Sequence, residues 1–208
     1  QPLLDLLSQF CHDLGPDFMK FYERALTSLI KLLNDATEFE TSNVFEWGFN
    51  CLAYIFKYLS RSLCKDLLTT FNLLFPLLSH SKDYLSRFSA EALSFLIRKS
   101  NSKNLSEFIS YSFKKLCDVE SNNFYDGLQT LFDESLKTTK DTLHSKSNTI
   151  VAILLDEALN DNQGAVCVSL FADILMDILR HTASENTQSL YDSILSKLDE
   201  HLSRKTLD

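Results

Sequence analysis

The chain has 208 residues, 45% of them hydrophobic and 23% charged, a balance that belongs to folded chains and excludes disorder. Only four glycines and three prolines stand against 38 leucines, which excludes turn-rich sandwiches and barrels as well as Gly-loop nucleotide enzymes, and leaves an all-helical chain. The net charge of -8 denies the whole chain an electrostatic footprint for nucleic acid.

Apolar residues recur at helical spacing almost throughout. The first predicted helix covers 2–13, with Leu3, Leu6, Leu7 and Phe10 as its stripe, and Gly15-Pro16 breaks it. The second covers 16–34 (Phe18, Phe21, Tyr22, Ala25, Leu29, Leu32, Leu33), followed by a polar loop over 35–42. The third, 43–60, opens on a capping pair, Asn43 and Glu46. Its apolar residues, Trp47 among them, run nearly all round, so it must be buried on more than one side. The fourth, 64–79, carries Pro76 near its end, and the fifth, 83–100, has Asp83 in the N-cap position. The remaining helices are expected over 104–118 (capped by Asn104 with Glu107), 121–138 (opened by Ser121), 143–159, 165–182 and 186–204. Residues 137–148 form the least apolar stretch and read as a loop.

The helices recur in pairs about every 40 residues, the period of HEAT or armadillo arrays. The fold class is therefore all-α, a HEAT/armadillo-like α-solenoid of about ten helices in antiparallel pairs. One pair cannot bury its apolar face alone, but stacked pairs share a continuous core. The phase comes from a proline in one helix (Pro76), an Asp at the start of the next (Asp83), and a basic and small-residue run after it (Arg87 to Ala92). It divides the chain into a half-repeat 1–14, repeats 16–60, 64–100, 103–138 and 143–182, and a half-repeat 184–205. Gln1-Pro2-Leu3-Leu4 has no initiator Met, basic n-region or cleavage site. The expectation is a fragment of a longer solenoid, with apolar ends that make the isolated segment associate as its concentration rises.

Five cysteines (Cys11, Cys51, Cys64, Cys117, Cys167) form no CxxC and no even framework; they read as small hydrophobes in a reducing compartment, not as disulfides or a zinc site. No apolar run is long enough to span a bilayer. His12, His80, His144, His181 and His201 fall at helix ends or polar faces without metal-ligand spacing. Neighbouring carboxylates such as Asp133-Glu134 and Asp156-Glu157 point away from each other on a helix and read as solvated. No catalytic residue, cofactor or metal is expected, and Asn104-Leu105-Ser106 reads as a helix cap, not a glycosylation site.

Charge is unevenly distributed. Residues 61–115 carry nine basic and four acidic residues, between two acidic flanks. Arg61, Lys65, Arg87, Arg98, Lys99 and Lys103 are the candidates for contact with RNA or an acidic partner, through phosphate neutralisation that weakens steeply with salt. The competing explanation is that cations in the last turn of a helix simply complement its dipole, worth about 0.3–1 kcal/mol each.

Phe45-Glu46-Trp47-Gly48-Phe49-Asn50-Cys51-Leu52-Ala53-Tyr54-Ile55-Phe56-Lys57-Tyr58-Leu59-Ser60-Arg61 resembles the "down-regulated in metastasis", or UTP-twenty, family. Lys65-Asp66-Leu67, Phe75-Pro76-Leu77-Leu78 and the run from Arg87 to Lys99 extend the resemblance over 45–99. It implies a HEAT-repeat component of the small-subunit processome: a nucleolar scaffold supporting pre-18S rRNA processing and 40S assembly. Its implied partners are pre-ribosomal RNA and ribosome assembly proteins, with no membrane and no small-molecule substrate. It implies no catalytic residues. The alternative is a HEAT-repeat protein–protein adaptor, such as a nuclear transport receptor or a phosphatase scaffold.

Overall fold

A computed structural model describes residues 1–38, 42–119, 121–137, 142–160, 162, 164–181 and 185–205. The described residues form ten α-helices and no strand; an isolated antiparallel bridge joins Lys137 to Leu143. They divide into two compact units, 1–100 and 101–208.

The first unit holds α1 (Pro2–Leu14), a 3-10 turn (Gly15–Phe18), α2 (Met19–Glu38), α3 (Ser42–Leu63), α4 (Leu67–Leu78) and α5 (Asp83–Lys99). Gly15, at φ +50°, supplies the left-handed residue that ends α1, and Pro16 takes an early place in the 3-10 turn, where no backbone N–H is needed. Chain neighbours pair (α2 with α3, α4 with α5), and each helix also packs on the one two places along (α1 on α3, α2 on α4, α3 on α5). This is helical-repeat solenoid packing. Cys51, Leu52, Ile55, Phe56 and Leu59 of α3 are buried among α1, α2 and α5, which accounts for its apolar circumference. Gly48 lets α2 approach: a Cβ there would stand 2.7 Å from Leu33 Cδ2. Pro76 falls in the last turn of α4, where the backbone bond it withholds is among the final ones and the helix is about to stop.

The second unit holds α6 (Ser102–Asp118), α7 (Asn122–Leu136), α8 (Ser147–Ala158), α9 (Gly164–His181) and α10 (Glu185–Lys205). The same rule holds: α6 packs on α8, α7 on α9 and α8 on α10. Phe108, Phe113 and Phe132 meet edge to face in its core at centroid distances of 6.1–6.4 Å.

Several sequence expectations are corrected. Residues 35–38 continue α2 instead of opening a loop, because Ala36 is buried and holds the last turn down. Asn43 lies inside α3, so it is no cap; the residue before Ser42 is outside the described residues. Asp83 is the first helical residue of α5, not its N-cap; Lys82 takes that place, and the Asp83 carboxylate complements the dipole instead. The cap of α6 is Asn101, whose side chain accepts from the Asn104 N–H at 2.9 Å, so Asn104 is the capped residue. α8 begins at Ser147, four residues later than periodicity suggested. Trp47 is half-buried, not in the inner layer. Among the cysteines, Cys11, Cys51 and Cys167 are buried hydrophobes, while Cys117 is exposed. Ser121 does cap α7, accepting from the Phe124 N–H at 3.4 Å.

Candidate nucleic-acid interface

Local sequence decides where the basic side chains go. α3 ends with Arg61 in its last turn, and α5 ends with Arg98 and Lys99 in its own. Unsatisfied carbonyls at a helix C-terminus carry partial negative charge, so cations are stabilised there. The turn between α3 and α4 carries Cys64 and Lys65, and the Cys64 thiol donates to the Leu96 carbonyl at 3.5 Å. That bond lays the α3–α4 turn against the last turn of α5. Arg61, Lys65, Arg98 and Lys99 therefore gather at one end of the first unit, with the Asp66 carboxylate nearby but turned to capping α4 through the Thr69 N–H (3.1 Å).

Arg61, Lys65 and Lys99 are exposed, and Arg98 is half-buried with its guanidinium donating to Ser94 Oγ at 3.1 Å. The Lys99 ammonium sits 4.2 Å from the Phe95 ring centroid, a cation–π contact that leaves it at the surface. One candidate of the first unit does not join this group. Arg87 lies three turns nearer the α5 N-terminus, facing Asp83 at 3.9 Å. Lys103 belongs to the second unit and faces Glu107 at 3.9 Å.

Sequence reasoning missed the extension of this basic end along α3. Tyr54 and Tyr58 are exposed, nearly parallel and 6.0 Å apart, and the Lys57 ammonium stands 5.7–6.0 Å from both rings. Arg61 comes one turn later. Alternating flat rings and cations is the chemistry that stacks bases and neutralises phosphates of single strands. The i, i+3, i+4 spacing of Tyr54, Lys57, Tyr58 and Arg61 was the available signal, hidden because aromatic residues in this helix read as core.

Two other surfaces stand out. In the first unit, α1, α2 and the start of α3 line an apolar groove of about 890 Å³, including Leu3, Phe10, Leu14, Phe21, Leu32 and Trp47. All of these but Leu14 are residues whose periodicity predicted a core; Leu3 is 81% exposed and Phe21 55%. In the second unit, α7 and α9 face each other through polar groups: Tyr125 donates to Asp173 (2.7 Å) and Gln129 to Asp177 (3.0 Å). Asp133, expected to be solvated, is instead buried between them, 3.9 Å from the Lys137 ammonium. Burial, eased by Lys137 and reinforced by Asp177, pushes its carboxyl up to about 7.

His12 lies in the last turn of α1, edge-on to Tyr58; His80 and His144 lie in turns, His181 ends α9, and His201 lies in α10. Among the described residues no three His, Cys, Asp or Glu side chains converge as a metal site, and no helix is long and apolar enough to cross a membrane.

Comparison with known sequences decides the family. No protein-family model matches. The whole chain is 56% identical, over 209 aligned residues, to part of the U3 small nucleolar RNA-associated protein 20 of Saccharomyces cerevisiae. The chain belongs to this family. The protein of the same name from Schizosaccharomyces pombe is 31% identical over 95% of the chain. The chain spans about 8% of the length of each of these relatives. The resemblance read from 45–99 therefore extends over the full sequence, including the stretch beyond 120 where only the repeat pattern had been legible.

Proposed function

We propose that this chain is a non-catalytic, HEAT-type scaffold segment acting in ribosome biogenesis, within the small-subunit processome that supports pre-18S rRNA processing and 40S assembly. On this reading it works in the nucleolus, among pre-ribosomal RNA and assembly proteins, and needs no cofactor. Its repeats are those the sequence phase suggests: 16–60, 64–100, 103–138 and 143–182, flanked by half-repeats.

One observation carries the reading. Side chains from two separate stretches, Arg61 with Lys65 and Arg98 with Lys99, are gathered at one end of the first unit, in a chain akin to proteins named for association with U3 small nucleolar RNA. The tyrosine–lysine stripe of α3 adds stacking surface beside them. A paired-helix array suits a scaffold because its extended surface holds several partners at once.

The test is affinity purification of the full-length protein with Arg98→Glu and Lys99→Glu. Loss of pre-ribosomal RNA from the purified material, with an unchanged melting temperature, supports the contact. Retained RNA with lowered stability assigns these cations to the helix dipole. Recovery of a transport GTPase or its cargo in place of RNA would favour the adaptor reading.

A further inference from the structure

Cys117 and Cys167 are fifty residues apart in sequence, yet their Sγ atoms lie 3.8 Å apart. Cys117 is the penultimate residue of α6 and is exposed; Cys167, in the first turn of α9, is fully buried. The Cys167 thiol also faces the Phe113 carbonyl, one turn back along α6, at 3.9 Å, so both of its neighbours come from the same helix end. A disulfide needs about 2.05 Å, a closure of roughly 1.8 Å from this separation.

We propose that Cys117 and Cys167 form a reversible oxidative modification site, a dithiol that hydrogen peroxide converts to an intrachain disulfide and that a thiol reductant restores. The pairing of one accessible and one sheltered sulfur sets the order of events. Burial, with the neighbouring Cys117 thiol, pushes Cys167 up to about 12, so it stays protonated and does not meet the oxidant first. Cys117, having given its proton to water, attacks one peroxide oxygen. The O–O bond breaks, the departing hydroxide takes up a proton as water, and Cys117 becomes a sulfenic acid. The Cys167 sulfur then attacks the Cys117 sulfur. The S–O bond breaks, and the Cys167 proton leaves with that oxygen as a second water. Two thiols lose two electrons in all, and one peroxide becomes two waters. Thiol–disulfide exchange reverses the change. The product ties the end of α6 to the start of α9 within the second unit.

The experiment exposes the full-length protein to graded hydrogen peroxide, alkylates the remaining thiols and maps tryptic peptides. Cleavage after Lys and Arg puts the two cysteines on separate peptides, 116–137 and 147–180, each with no other cysteine. The proposal expects the two peptides joined by a disulfide that dithiothreitol removes. It also expects Cys167→Ser to leave a Cys117 sulfenic acid that dimedone traps. It is overturned if Cys117 proceeds to sulfinic acid, or to a mixed disulfide with a small thiol, while Cys167 is still alkylated. Because the unsubstituted protein supplies the main readout, the test holds even if the buried Cys167→Ser variant fails to fold.

Discussion

The two units obey one packing rule with different chemistry. In the first, neighbouring helices are joined by rings: Phe49 stacks on Phe88 at 3.7 Å and Phe45 meets Tyr84 edge-on at 5.3 Å, both between α3 and α5. A neutral polar tie, the Tyr22 hydroxyl donating to Thr70 at 3.1 Å, links α2 to α4. In the second, rings join α6 to α7, but charged and polar groups bridge the other helices: Tyr125 to Asp173, Gln129 to Asp177, and Lys197 to Asp156 at 2.6 Å. Ring packing responds little to salt or pH, whereas charged bridges respond to both. The first unit can therefore display a basic surface without using its charges for cohesion, while the second spends part of its acidic excess internally.

Four sets of substitutions probe this contrast. Phe71→Ala, in the apolar core of the first unit, should cost about 3–5 kcal/mol in chemical denaturation, with little change between low and high salt. A strong salt dependence would show charges holding that unit too. Asp133→Asn should come next. The folded carboxyl titrates near 7 and the unfolded one near its ordinary value, so between about pH 4 and 7 the folded chain holds a proton that the unfolded chain has lost. Stability contributed by that proton is present in acid, falls as pH rises through this window, and is level above it. The amide does not titrate. The variant should gain about 1–2 kcal/mol at pH 8, allowing for the part of the group open to water, and lose that pH slope. Thermal melts across pH 4–8 would reveal it; an unchanged slope means Asp133 is solvated after all. Lys197→Ala should cost under about 1 kcal/mol, and less at high salt, since Lys197 is partly and Asp156 largely exposed. Smallest in stability is Leu3→Glu with Phe21→Glu, which should leave melting nearly unchanged and lower any concentration-dependent association that the exposed apolar groove causes. Sedimentation of the pair against the parent sequence would expose any other source of association.

Helix order was legible because the signal is repeated: each helix carries its own apolar stripe, and the pair recurrence of about 40 residues survives errors of a few residues at each end. Caps were less legible, since two plausible acceptors lie within one turn; Asn101 and Asn104 are both Asn, and only the backbone geometry chooses between them. Burial was misread where a stripe had no facing partner in the described chain, as at Leu3, Phe10 and Phe21. The basic cluster was half legible. Position near helix ends grouped Arg61 with Lys65 and Arg98 with Lys99, but joining the two pairs took the fold, through α3–α5 packing and the Cys64–Leu96 contact, and the fold also sends Arg87 elsewhere. Long-range pairs without a motif, Asp133 with Asp177 and Cys117 with Cys167, left no trace in the sequence.

Contact between RNA and the α3–α5 end of the first unit can be read out by ultraviolet crosslinking of the full-length protein inside its purified particle, with nucleotide adducts mapped to residues. Adducts are expected on Tyr54, Tyr58 or the segments around Arg61–Lys65 and Arg98–Lys99. Adducts confined to other parts of the chain, with the particle intact, would rule that contact out.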